Sequence, residues 1–161
     1  MTNARATPRL VRYFDDYSGY HLSGWNKICH YVGIPLLMIA IPGLLARIQF
    51  GPEYFDGILR FDLGLLLWLA SAAAYVVLDW KIGIPFVVVG LACYALGRWL
   101  PISVLWALFV VGWIFQFVGH YVYEKKSPAF MQNFMHLLIG PLWVFANWVG
   151  YYRGESKKSE R

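Results

Sequence analysis

Thiols and charge are what this chain has least of. Cysteine occurs twice, at Cys29 and Cys93, with no C-x-x-C spacing, which excludes a disulfide framework or a thiolate metal cluster. Free cysteine packs as a small hydrophobe. Both positions lie in apolar runs, so both are expected to be buried thiols. Charged residues make up 14% of the 161 residues, against about 25% in ordinary soluble domains. So low a share argues against a water-soluble surface. The N-terminal stretch MTNARATPRLVRYFDDY has no uninterrupted apolar core, which sets aside a secretory signal peptide. H-E-x-x-H is absent, and so are the HxxxH and HxxHH boxes of membrane di-iron desaturases. A metalloprotease-type zinc site is therefore unsupported, and four histidines are too few for a di-iron site.

Long apolar runs fill the space that charge leaves. The chain is 59% hydrophobic with eight Trp and eleven Tyr, and such rings collect at membrane interfaces. Apolar segments run over 28–46, 63–78, 82–96, 102–123 and 134–152. Lipid admits only helices or closed barrels, and these runs do not alternate as barrel strands do. The expected fold is an all-α integral membrane protein without a sheet. It forms one membrane domain over 1–161, a compact bundle of four to five transmembrane segments. Gly140-Pro141 breaks the last segment, which is expected to fold back there as a re-entrant hairpin; five full spans are the alternative. Thr7-Pro8 opens a short N-terminal amphipathic helix with Leu10, Val11, Phe14 and Tyr17 on one face. That helix is expected to lie in the membrane surface or to cap the bundle. Asp79-Trp80-Lys81 is expected to be a tight turn, and 153–161 a disordered basic tail.

The net charge of +5 comes from Lys and Arg at span ends and tails, not from a stripe. It reads as an orientation signal, and no nucleic-acid partner is expected. Arg5, Arg9, Arg12 and Lys27 put the N-terminal side in the cytoplasm. On that map His21 and His30 start the first span, His120 ends the fourth and His136 starts the last segment. All four histidines of the chain fall at one membrane face. Neutral imidazole is a common ligand of Zn, Fe, Cu and Ni, and polar groups in membrane helices usually face the bundle interior. One metal ion held by His21, His30, His120 and His136 is the expectation. Gln116, His120 and Glu124 are spaced four apart, so Gln116 and Glu124 are candidates to orient the His120 imidazole. Asn26, four before His30, is the same kind of candidate. All-nitrogen ligation with a free position suits Fe2+ and oxygen chemistry, with Zn2+ or Cu open by ligand type.

Two stretches, YHLSGWNKICHYVGIPL and WIFQFVGHYVYEKKSPAFMQN, together resemble the Mpo-type 2-hydroxy fatty acid dioxygenase family, found in fungal endoplasmic reticulum and widely in bacteria. The shared pattern is Tyr20-His21, Asn26, His30 with Gly33 and Pro35, then Gln116, Gly119-His120, Glu124-Lys125 and Pro128-Ala129. The proline that relatives often carry before the Asn is missing here. The resemblance implies an Fe2+-dependent dioxygenase of fatty-acid α-oxidation. Its substrates would be a 2-hydroxy fatty acid and O2, its product the acid one carbon shorter. Lys27, Lys125 or Lys126 would draw in the carboxylate, or serve only as cytoplasmic anchors. A bacterial inner membrane is the expected location, ahead of endoplasmic reticulum. Two rivals stand beside this reading. One is a non-enzymatic membrane protein with a structural metal, the other a zinc-dependent membrane hydrolase.

Overall fold

The computed structural model describes residues 6–54, 59–131 and 133–152. The basic tail, the Asp56-Gly57 turn and Arg5 lie outside the described residues. Six helices dominate: α1 (Pro8–Gly19), α2 (Gly24–Leu45), α3 (Leu63–Leu78), α4 (Trp80–Trp99), α5 (Ile102–Phe117) and α6 (Met135–Trp148). A π-helical turn, Val118–Glu124, extends α5, and a single 3-10 turn, Ala129–Met131, precedes α6. The spans α2, α4 and α5 with its extension are long and apolar enough to cross a membrane. Helix α3, at 16 residues, reaches about 24 Å, short of the ~30 Å hydrocarbon core. Outward side chains are apolar: Val77, Val88, Val110 and Ile114 are each more than half exposed, as lipid contact requires.

Between α2 and α3 the structure departs from the all-helical expectation. Gln49–Tyr54 (β1) and Leu59–Asp62 (β2) form a two-stranded antiparallel hairpin. It pairs Gln49 with Asp62 and Phe50 with Phe61. Short antiparallel strands need no burial on both faces, so a hairpin can stand outside the span region. Asp62 ends it and caps α3, accepting from the Leu65 N–H at 2.7 Å and from the Tyr94 hydroxyl at 2.7 Å.

The expected turn at 79–81 shrinks to one residue. Asp79 is at once the C-cap of α3 and the N-cap of α4, its Oδ1 accepting from the Lys81 N–H. Its Oδ2 accepts from the Thr7 N–H at 2.8 Å and the Tyr151 hydroxyl at 3.0 Å. One carboxylate thus ties together both terminal regions and the α3–α4 junction.

The amphipathic α1 exists, with Thr7 as N-cap and Pro8 at its first position. Its apolar face does not enter lipid. Leu10 and Phe14 are fully buried and Tyr17 nearly so, packed with Ile139, Leu142 and Trp143 of α6. The helix caps the bundle.

The fold-back at Gly140-Pro141 does not occur. Helix α6 runs unbroken through Pro141, since a proline removes one backbone bond without ending a helix held by packing. Nor is α6 a full span: 14 residues give about 21 Å. Both ends touch elements of the same face. His136 at its start meets Asp16, and beyond its end Tyr151 and Tyr152 donate to Asp79 and Asp15. Of the cysteines, Cys29 is buried as expected, whereas Cys93 is only half-buried; both are free.

Candidate metal centre

Helices α2 to α5 run up and down in turn, so the start of α2 and the end of α5 share one face. Small residues let these two helices meet closely. A Cβ at Gly33 would lie 2.5 Å from Gln116 Nε2 and 2.8 Å from the Gly112 carbonyl oxygen. One at Gly119 would collide with Asn26 Oδ1. With nothing but hydrogen at these positions, His120 comes within reach of His30, although they are ninety positions apart in the chain. The loop between α1 and α2 adds His21.

These three imidazoles form a cluster. One ring nitrogen from each lies within 4.8 Å of the other two, and all three residues are buried. His21 Nε2 and His30 Nε2 are 3.1 Å apart. The ring centroids of His120 lie 4.9 Å from both.

Hydrogen bonds behind the rings fix where their protons sit. His21 Nδ1–H donates to the Tyr17 carbonyl at 2.6 Å, and His30 Nδ1–H donates to the Asn26 carbonyl at 2.9 Å. A carbonyl can only accept, so each Nδ1 carries the proton and each Nε2 of a neutral ring is left with a lone pair. Two lone pairs then face each other in a buried place. Burial first, and then the neighbouring His30 imidazole, push the His21 pKa down to about 2, so a proton on His21 does not resolve the conflict. A cation does. Metal–nitrogen bonds of about 2.0–2.1 Å put adjacent ligand atoms ~3 Å apart, the separation seen here. The third member agrees: His120 Nδ1 is buried with no hydrogen-bond partner. The donor set, three imidazoles with no carboxylate or thiolate among them, fits a nitrogen-ligated transition metal.

The predicted supporting residues take other places than spacing suggested. Asn26 does orient His30, but through its backbone carbonyl. Its side-chain Nδ2–H donates to Glu124 Oε2 at 3.0 Å. Glu124 does not bond His120. It accepts from the Leu22 and Ser23 N–H groups, both at 3.0 Å, as well as from Asn26. It therefore braces the turn from His21 into α2. The cause is the π-helical turn at Val118–Glu124, whose extra residue per turn breaks the i, i+4 stacking on which the expectation rested. Gln116 lines the cavity beside the cluster with Nε2 buried and unpartnered.

His136 stands apart from the other three. Its Nε2–H donates to Asp16 Oδ2 at 2.8 Å, and its buried Nδ1 has no partner. Tyr17 separates it from the cluster, stacked on His21 at 4.1 Å and edge-on to His136 at 5.7 Å. Burial raises the Tyr17 pKa, so its phenol stays neutral. Sequence reasoning missed Tyr17 and Asp16; the one available signal was Tyr17 standing four before His21, as Asn26 does before His30. Lys125 and Lys126 are exposed and Lys27 half-buried. None of the three lines the cavity at the cluster.

That cavity holds about 440 Å³, is lined by His136 as well as by His21, His30 and His120, and is otherwise mostly apolar. Its size is ordinary for a small-molecule site.

No solved structure matches the chain. Among curated proteins it is similar to the 2-hydroxy-palmitic acid dioxygenase MPO1 of Saccharomyces cerevisiae. The two are 28% identical over 123 residues, which is 76% of this chain and 69% of the yeast protein. Residues 8–152, which contain the cluster, match a protein family described as 2-hydroxy-palmitic acid dioxygenase Mpo1-like. The chain, with its three clustered histidines and apolar spans, belongs to that Mpo1-like family.

Proposed function

We propose that this chain is an Fe2+-dependent dioxygenase of fatty-acid α-oxidation, which converts a long-chain 2-hydroxy fatty acid and O2 to the acid one carbon shorter. The observation that carries the reading is the union of three imidazoles and an apolar cavity in one site. Family membership and the yeast relative's name support the substrate class. His21, His30 and His120 would hold the iron. The bound metal supplies Lewis acidity and redox chemistry.

The chain's own residues supply position and environment. The Tyr17 and Asn26 carbonyls hold two rings with Nε2 bare, so no ligand has to turn or lose a proton before use. Gln116 Nε2 is an unspent donor beside the cluster, suited to a carboxylate oxygen of the substrate. It takes the role expected of Lys27, Lys125 or Lys126, none of which lines the cavity. Tyr17, Trp113 and Phe130 line the same cavity and keep water from the reacting end, and the two carbons to be parted are held rather than met by chance. The site face carries Lys27, Lys81, Lys125 and Lys126 near span ends, and we assign it to the cytoplasm of a bacterial cell.

The test is direct. Purified protein loaded with Fe2+ should consume O2 only when a long-chain 2-hydroxy acid is present, and should release the acid shortened by one carbon. Product formed equally without O2 would overturn the dioxygenase reading in favour of a hydrolytic one. Iron that neither binds nor alters thermal stability would overturn the metal assignment.

A further inference from the structure

The cavity does not stop at the histidines. It continues along α2 past Leu37 and Met38 to Ile41 and Pro42, with α3 and α4 as its other walls. At the far end it closes. A Cβ at Gly64, in the first turn of α3, would collide with the Pro42 carbonyl, so α2 and α3 are pressed together there. The Trp68 indole stands just inside that junction, its Nε1–H donating to the Val87 carbonyl at 3.3 Å. Gly90 makes room for it: a Cβ there would be 3.3 Å from the indole ring. At the near end α2 and α3 are held apart by α6, where the Tyr75 hydroxyl donates to the Leu138 carbonyl at 2.9 Å. The two helices thus form a wedge, shut beyond Trp68 and open at the imidazoles. One flank is open too. Helices α3 and α5 each pack on α2 but share no packed face with each other, while Ser71 of α3 and Trp113 of α5 both line the cavity between them.

We infer that this wedge is a one-ended slot for the acyl tail, entered sideways from the bilayer between α3 and α5, with Trp68 as the floor that limits tail length. The inference rests on the dioxygenase reading for its head-group end and adds the residues that choose the chain. From His30 to Ile41 is eleven residues, about 17 Å of helix. An extended chain advances ~1.2 Å per bond, so the slot takes roughly fourteen bonds. With two further carbons at the imidazoles, the acid that fits has about sixteen. Ala72 lies midway along the α3 wall and Trp68 at its end, so a bulky group at Ala72 shortens the slot and loss of the indole lengthens it.

A ladder of 2-hydroxy acids from short to very long, offered to full-length protein in detergent, tests this. Two readouts are needed: shortened product from the iron-loaded protein, and displacement of a fluorescent fatty acid from metal-free protein. Ala72→Phe, with Ser71→Leu as a second blocking variant, should lose at least about tenfold on the long acids and little on the short ones. Trp68→Ala should move the optimum to longer chains. Ala73→Phe, on the exposed neighbouring face of α3, should keep the original profile. Parallel profiles in all the variants would overturn the slot even with turnover intact. Displacement that follows chain length without any turnover would keep the slot and overturn the dioxygenase reading.

Discussion

At the scale of single residues, what matters is which nitrogen of each imidazole is spoken for. His21 and His30 each spend Nδ1–H on a carbonyl four residues back, which leaves Nε2 for a metal. Replacing His120 by Ala removes the third donor and should abolish both iron retention and turnover, read by elemental analysis and product assay. His136→Ala should behave differently. Its ring is bonded to Asp16 and lies outside the trio, so the variant should retain iron in near-wild-type amount. Iron loss equal to that of His120→Ala would restore His136 as a ligand. Acid should act through His21. Its pKa falls from the ordinary 6.5 to about 2 in the fold, so below about pH 6.5 the unfolded chain takes up a proton that the folded chain refuses. Stability should therefore be fully present above that pH and decline as pH drops toward 2, measurable as a falling melting temperature of the metal-free protein. The histidines and Asn26 were legible because helical spacing and a shared membrane face are sequence properties. Asp16 was not, because its meeting with His136 joins the first helix to the last.

At the scale of elements, the π-helical turn after α5 decides where Glu124 goes. Reading Gln116, His120 and Glu124 as one ladder assumes an unbroken α-helix. The extra residue per turn sends the carboxylate to the start of α2 instead. Glu124→Ala should unpin the Leu22–Ser23 turn and Asn26 together, and lower iron affinity by roughly 10–100-fold, read by competition with a chelator. Close helix contact is the other element-level condition. Gly119→Ala places a methyl against Asn26 and 3.1 Å from Cys29 Cβ, and overpacking of this kind costs about 1–3 kcal/mol. The variant should melt lower and bind iron poorly. Gly19→Ala, with open space around it, is the matched control and should melt no lower than the wild type. The helix positions themselves were readable from the apolar runs to within a few residues. The hairpin between α2 and α3 was not, since Gly51-Pro52 and its polar neighbours look like any loop. Pro141 misled in the other direction, because a breaker in sequence is only a weak spot in a helix that α1 covers.

At the scale of the whole molecule, Asp79 is the point where the lead-in to α1 and the segment after α6 are joined. It receives the Thr7 N–H and the Tyr151 hydroxyl while capping α4. Asp79→Ala should leave the four central helices in place but loosen α1 and α6, seen as faster protease cleavage near both termini. Because α6 starts and ends against elements of one face, reporter fusions at the N- and C-termini should report the same side of the membrane. Opposite sides would mean that α6 crosses after all.

The distance along the chain between His30 and His120 also sets a timetable. Until synthesis has passed Glu124 and α5 has been seated against α2, there are two imidazoles and no third, and the turn that carries His21 lacks its Glu124 brace. On the proposed reading, the three-imidazole site can form only once α5 is seated against α2. A chain that stops short of His120 would lack the third imidazole, and with it the site that the proposed metal needs.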